Sequence, residues 1–249
     1  MKTSDFDYYL PKELIAQHPL ERRDSSRLAV FHKDSGEIEH RHFSDVTEYL
    51  RPGDVLVIND TRVIPARLLG VRITSAVPEE RAAEHEKNCE VLLLKRLSLT
   101  DWECIVRPGK KLRTGAKIYF SPRLSATVTG IKDEGVRVLT FETDGVFEEV
   151  LDEVGNMPLP PYITEKLEDK SRYNTVYAHT DGSAAAPTAG LHFTPELLQK
   201  VKDMGVKIAP VLLHVGLGTF RPVKEEEATA HKMHSEYYEI SAESAAMIN

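Results

Sequence analysis

The chain has 249 residues, 41% of them hydrophobic, and a formal net charge of -7. That is enough apolar content for one large domain or two smaller ones with a proper core. Disorder is excluded, and the negative balance argues against indiscriminate nucleic-acid binding while allowing a local basic patch. Cys89 and Cys104 have neither metal-site spacing nor the density of a disulfide scaffold, and they read as reduced thiols. The opening residues contain no apolar signal core and no later run approaches a membrane span, so a soluble cytoplasmic protein is expected.

In chain order, Phe6 to Pro19 reads as a short extended piece and one helical turn. Leu28–Phe31, the turn Asp34-Ser35-Gly36 and the segment from Ile38 to Phe43 form a hairpin pattern. Ser44 is placed to cap a short helix ended by Pro52-Gly53. Asp54–Ile58 is a continuous apolar run, hence a buried strand, and it breaks off in Asn59-Asp60-Thr61-Arg62. Four polar residues at the end of a buried strand suit a site, although Asn59 there is also a good Asx-turn residue.

From Val63 to about Val150 helix signals nearly vanish. Short strands recur at Ala66–Ile73, Val91–Arg96, Trp102–Val106, Lys117–Phe120, Ala126–Ile131 and Val136–Thr143. Strands at that spacing predict a small antiparallel β-barrel. Between them, Arg107, Lys110, Lys111, Arg113 and Lys117 crowd into eleven residues. On a chain of net negative charge this run is the best candidate for a phosphate-backbone contact, with a solvated hairpin loop as the plainer explanation.

Helix character returns at Val146–Val154, and three prolines in Met157–Ile163 mark a boundary. Asn174–Ala178 then reads as a strand, followed by the loop Gly182–Thr194. That loop is so rich in Gly, Ala, Ser, Pro and Thr that it should let backbone approach a ligand rather than fill a core. It feeds a helix from Pro195, capped by Thr194, whose N-terminus suits an anionic group. Val206–Val215 is the next strand, and the strand–helix–strand order implies a right-handed crossover that sets it parallel to Asn174–Ala178. The expected architecture is α/β: a mixed or parallel sheet domain, residues 1–62 and 156–249, with a six-stranded barrel inserted at 63–155. Loops after Ile58, after Ala178 and after Leu213 should converge at strand C-termini.

Gly216-Leu217-Gly218 fails the dinucleotide fingerprint, because Arg221 stands where the third glycine is required. His231 and His234, three apart, would share a helix face. Without a carboxylate or cysteine pattern the scattered histidines, His179 and His192 among them, give little support for a metal. His214, ending a buried strand beside two glycines, is the best placed for proton transfer, against the alternative of a hydrogen-bonded core histidine.

The runs Asn59–Leu68, Gly182–Thr194 and Leu213–Pro222, with Leu14–Pro19 and His231–Glu236, closely resemble the S-adenosylmethionine:tRNA ribosyltransferase-isomerase family of queuosine biosynthesis. The match extends over the whole chain. It implies an α/β domain with an inserted barrel and transfer of the ribosyl part of S-adenosylmethionine, a co-substrate, onto 7-aminomethyl-7-deazaguanine at the tRNA wobble position. The product is epoxyqueuosine, and adenine and methionine leave. Such a reaction needs no metal. A sulfonium acidifies the adjacent C–H, so the site needs a base and a donor.

Position and chemistry then make His214 or Asp60 the candidate base and Tyr177 a further catalytic group. Thr61, Arg62, Arg67, Tyr162 and Thr219 are candidate binding or polarising groups. Ser183, Ala184, Ala185, Pro187, Thr188, Gly190, His192 and Thr194 are expected around the cofactor, whose methionine carboxylate would lie near the helix start, and Gly216, Gly218 and Arg221 complete the set. Arg107, Lys110, Lys111 and Arg113 are the expected tRNA contacts of what should be a monomer. Family members continue beyond Asn249, so Ser241–Asn249 reads as the start of a helix cut short. A metal-dependent hydrolase using the histidines and a noncatalytic RNA-binding barrel are the competing classes.

Overall fold

The computed structural model describes residues 1–216 and 223–249. The chain divides into two compact units, Met1–Arg62 with Pro160–Asn249, and Val63–Leu159.

In the first unit β1 (Arg27–Phe31) and β2 (Ile38–His42) form an antiparallel hairpin, with Gly36 at φ 73 in its turn. A 3-10 helix, Phe43–Tyr49, follows. Its first turn is capped by Asp45, whose carboxylate accepts from the His42 amide at 3.0 Å, and not by Ser44 as the sequence suggested. β3 (Val55–Asn59) and the short β4 (Thr61–Val63) come next.

The second unit is a closed barrel of β5 (Arg67–Arg72), β6 (Cys89–Arg96), β7 (Asp101–Arg107), β8 (Lys117–Ser121), β9 (Leu124–Ile131) and β10 (Arg137–Thr143). The spatial order is β10-β7-β6-β5-β8-β9, and β10 pairs antiparallel with both β7 and β9, which closes the ring and leaves no sheet edge. Alternate residues such as Trp102, Cys104 and Val106 on β7, or Leu124, Ala126 and Val128 on β9, fill the interior. The interior is tight: a Cβ at Gly70 would stand 2.6 Å from Ile118 Cγ2. α1 (Phe147–Val154) adds Phe147, Val150 and Leu151 to this core, with the Phe147 ring 5.3 Å from Phe141 and 5.8 Å from Trp102.

Back in the first unit, the expected strand at Asn174–Ala178 is absent. A 3-10 helix covers Lys170–Tyr173 and the Ala178 amide turns back onto the Thr175 carbonyl at 3.2 Å. The strand falls later, as β11 (Thr180–Ser183), and joins β4. α2 (Pro195–Asp203) begins as expected, Thr194 Oγ1 accepting from the Leu197 amide at 3.1 Å, and the chain leaves it through Gly205 at φ 81. β12 (Lys207–His214) runs parallel to β3, with Lys207 opposite Val55 and Val211 opposite Asn59. The parallel pair is therefore β3 and β12, and not β12 with the segment before the small-residue loop. On its other edge β12 pairs antiparallel with β13 (Tyr237–Glu239). α3 (Ala242–Ile248) closes the described fold, its Ser244 hydroxyl donating to the Pro210 carbonyl at 2.7 Å.

His231 and His234 do not share a helix face, because residues 231–236 carry no helix. Each histidine instead meets a carboxylate, His231 with Glu225 and His234 with Glu236, both at 2.9 Å. Among the described residues no helix is long and apolar enough to cross a membrane.

Candidate active site

Parallel strands that end side by side bring their C-terminal residues together, and ligands gather at such ends. Asn59, ending β3, clips the two strands. Its Nδ2 donates to the Leu213 carbonyl at 2.9 Å, and its Oδ1 accepts from the amides of Leu213 and Thr61 at 3.0 and 3.1 Å. The bond to Thr61 is an Asx-turn, and the side chain is fully used in holding backbone.

That clip sets the position of Thr61, which is completely buried and whose Oγ1 lies 2.8 Å from His214 Nδ1. The other side of the imidazole faces β11, where a Cβ on Gly182 would come within 3.0 Å of both Cε1 and Nε2. Gly182 has φ 140, a backbone conformation L side chains rarely adopt, so this position favours glycine twice over. The ring of Tyr237 lies nearly parallel to His214, 5.8 Å between centroids and 23° between planes. Burial pushes the His214 pKa below its ordinary value, while the charges of Asp60 and Asp181 pull it upward. Burial prevails, and the neutral imidazole is favoured.

Asp60 backs onto the same place. Its backbone carbonyl accepts from the amides of His179 and Thr180 at 2.7 and 3.3 Å, which ties in the loop after Ala178, while its carboxylate Oδ1 is buried and has no hydrogen-bond donor among the described residues. A buried acceptor without a donor is rare and calls for an explanation. Arg62 donates through Nη2 to the Ala178 carbonyl at 2.8 Å, with its Nε 3.7 Å from Asp181 Oδ1. About half of each of these two side chains is exposed, so the ion pair itself contributes little.

The small-residue loop packs more closely than its composition suggested. Ala184, Ala185 and Ala186 are buried and do fill core. Ser183 Oγ lies 2.7 Å from the Ala185 carbonyl, 3.2 Å from the Val215 carbonyl, and accepts from the Val215 amide at 3.0 Å, so it fastens the loop to the end of β12. Gly190 makes room for Tyr177: a Cβ there would stand 2.1 Å from the phenol oxygen. Burial raises the Tyr177 pKa to about 12, which keeps it a protonated donor at neutral pH.

The remaining expected residues are spread more widely. The Thr194 hydroxyl is occupied as the cap of α2, and the His192 ring packs 5.1 Å from Phe43. Pro187 and Thr188 lie toward the surface. Tyr162 is exposed, with its carbonyl held by Gln17 Nε2 at 3.0 Å, which gives the Leu14–Pro19 segment a structural task. Arg67 belongs to the barrel unit and pairs with Glu90 at 3.0 Å. The Gly216 amide donates to Glu236 Oε1 at 2.8 Å. Gly218, Thr219 and Arg221 lie outside the described residues. Asp181 and Tyr237 beside His214 were not among the expected residues, and no spacing in the sequence pointed to them, whereas Gly182 opens the small-residue loop already singled out.

In the barrel unit, Lys110, Lys111 and Arg113 line an open cavity, whereas Arg107 ends β7 outside it. Among the described residues no three His, Cys, Asp or Glu side chains are grouped to hold a metal ion.

A family model described as queuosine biosynthesis protein matches residues 3–249. The chain belongs to the queuosine biosynthesis protein family. Among its relatives in that family, the S-adenosylmethionine:tRNA ribosyltransferase-isomerase of Clostridioides difficile (strain 630) is 56% identical over 250 residues, an alignment that takes in 100% of this chain and 70% of the relative. A solved structure, the S-adenosylmethionine tRNA ribosyltransferase of Thermotoga maritima, is 36% identical with a TM-score of 0.40, covering 98% of this chain and 64% of that one. This queuosine biosynthesis family member thus spans about two thirds of the length of both.

Proposed function

We propose that the chain transfers the ribosyl moiety of S-adenosylmethionine to the 7-aminomethyl-7-deazaguanine base of tRNA and isomerises it, forming epoxyqueuosine and releasing adenine and methionine. Support comes from the 56% identical relative of that name, which aligns along all of this chain. The observation that carries the chemical reading is the half-buried His214 imidazole, held at Nδ1 by Thr61 and bounded on its Nε2 side by a residue without a side chain.

With Nδ1–H donating to the Thr61 oxygen, His214 Nε2 presents a lone pair. Its lowered pKa keeps that lone pair available at neutral pH. Such a group suits removal of the acidified proton beside the sulfonium of S-adenosylmethionine. The open Asp60 Oδ1 can accept a hydrogen bond from substrate or share the role of base, and the protonated Tyr177 phenol can donate to a departing group. Arg62 and the fastened Ser183–Gly190 loop would contact the cofactor and its carboxylate. No step of this chemistry calls for a metal. We place the reaction in the cytoplasm, where the tRNA is, with the protein acting as a monomer.

The test is chromatographic detection of adenine released from S-adenosylmethionine with tRNA bearing the aminomethyl precursor base, and with tRNA lacking it. Release that depends on the modified tRNA is the expected result. Failure to release adenine together with failure to bind S-adenosylmethionine would refute the reading.

A further inference from the structure

Within the barrel unit, Arg72, Lys110, Lys111, Arg113 and Lys117 surround an open cavity of about 660 Å³, and no carboxylate contributes to its lining. Among the described residues none of these five cations has a salt bridge, on a chain whose net charge is -7. Concentrating uncompensated positive charge costs stability through mutual repulsion unless an anion is to be met there. The Arg72 Nε is also buried and has no hydrogen-bond partner among the described residues, an open donor at the wall of this cavity.

The loop that carries the lysines is held in shape from below. Arg137, 9% exposed, directs its guanidinium at three backbone carbonyls: Nε to Leu112 at 3.0 Å, Nη1 to Gly135 at 2.7 Å and Nη2 to Gly109 at 3.1 Å. Leu112, completely buried between Lys111 and Arg113, anchors the loop in the barrel core. The three neighbouring cations Lys110, Lys111 and Arg113 are all exposed at its rim. A buried arginine and a buried leucine therefore fix the loop backbone, so that basic side chains project from a preset position instead of from a mobile hairpin.

We propose that this barrel cavity is the seat of RNA backbone phosphates, with Arg72 and Lys117 joining Lys110, Lys111 and Arg113 as the binding groups. The inference rests on the proposed tRNA substrate and adds where its backbone is held. Arg107, which the sequence run had grouped with these residues, is not among the cavity residues.

The test uses the whole chain, a fluorescein-labelled tRNA anticodon stem-loop and the triple variant Lys110→Gln, Lys111→Gln, Arg113→Gln. Each phosphate contact contributes about 0.7 to 0.9 to the slope of log affinity against log salt. The variant should therefore bind roughly 10²-fold more weakly near physiological salt, with a slope shallower by about 2 to 3. A companion variant, Lys110→Arg with Lys111→Arg, should retain the slope. S-adenosylmethionine binding, followed by calorimetry, should be unchanged in both and shows that the protein is folded. An unchanged salt slope in the triple variant would overturn the cavity inference while leaving ribosyl transfer intact. Competition by inorganic pyrophosphate beyond its ionic-strength effect would reassign the cavity to a free phosphate ligand. A wild-type chain that binds neither the stem-loop nor S-adenosylmethionine would remove the functional reading itself.

Discussion

Thr61 Oγ1 and His214 Nδ1 lie 2.8 Å apart at the ends of chain segments separated by more than 150 residues, and the threonine is completely buried. The hydrogen bond fixes the orientation of the ring and, with it, which nitrogen faces the open side. Thr61→Val keeps the shape and deletes the partner. Leaving a half-buried ring nitrogen unsatisfied should cost about 1 kcal/mol of stability. If His214 is the base, kcat should fall by roughly 10-fold or more, within the 10²–10⁴ that a general base supplies, with little change in KM. Urea midpoints and adenine-release kinetics on the same samples separate the two effects. A variant that loses stability yet turns over at the wild-type rate would make the bond purely structural.

The pH dependence of stability should identify the same histidine. Burial lowers the His214 pKa below 6.5, so in the window just below 6.5 the unfolded chain binds a proton that the folded chain does not. Stability therefore rises with pH through that window and is fully present above it. As pH falls below 6.5 the contribution is lost until the folded pKa is reached. Urea midpoints of wild type and His214→Gln between pH 5 and 8 should diverge on the acid side of 6.5, with the variant flatter. Parallel curves would assign the acid sensitivity to other groups.

Periodicity and turn chemistry made much of the fold legible. All six barrel strands lie where alternating short segments predicted them, because inward Trp102, Cys104 and Val106 must alternate with outward residues to fill a closed ring. The parallel pairing of β3 with β12 was not legible, because the strand–helix–strand order pointed to Asn174–Ala178 as the partner and the true partner lies on the far side of the barrel segment in sequence. What else escaped was local: Asn174–Ala178 looks strand-like by composition, yet its residues are needed to hold Tyr177 over Gly190. The alanines after Ser183 looked too small to contribute to a core, yet all three are buried. Tyr237 and Glu236 reach the site by pairing of β13 with β12, a contact that no spacing in the sequence encodes.

Cys89 and Cys104 should be unreactive until the barrel opens. Both are free and buried, and burial lifts the Cys89 pKa to about 11 and raises that of Cys104 well above its ordinary value. A thiol needs to be a thiolate to react. At pH 8 the native protein should show essentially no labelling by 5,5'-dithiobis(2-nitrobenzoic acid), and both thiols should react once urea unfolds the barrel. Rapid stoichiometric labelling of the native chain would show that β6 and β7 open locally.

Arg137 offers the clearest dissection of scaffold from surface charge. Its guanidinium is almost wholly buried and has three backbone carbonyls as partners. Arg137→Met fills similar volume while stripping donors from the carbonyls of Gly109, Leu112 and Gly135. Stranding the buried Leu112 carbonyl should cost about 1–3 kcal/mol, seen as a lower urea midpoint for barrel unfolding, and the released loop should become cleavable by trypsin after Lys110 or Lys111. Arg137→Lys replaces a planar fork with a single ammonium and should recover only part of the loss, because one ammonium group cannot match the directions of three separate carbonyls. Equal stability of the methionine variant and wild type would mean that Leu112 alone anchors the loop and that the arginine is incidental to its shape.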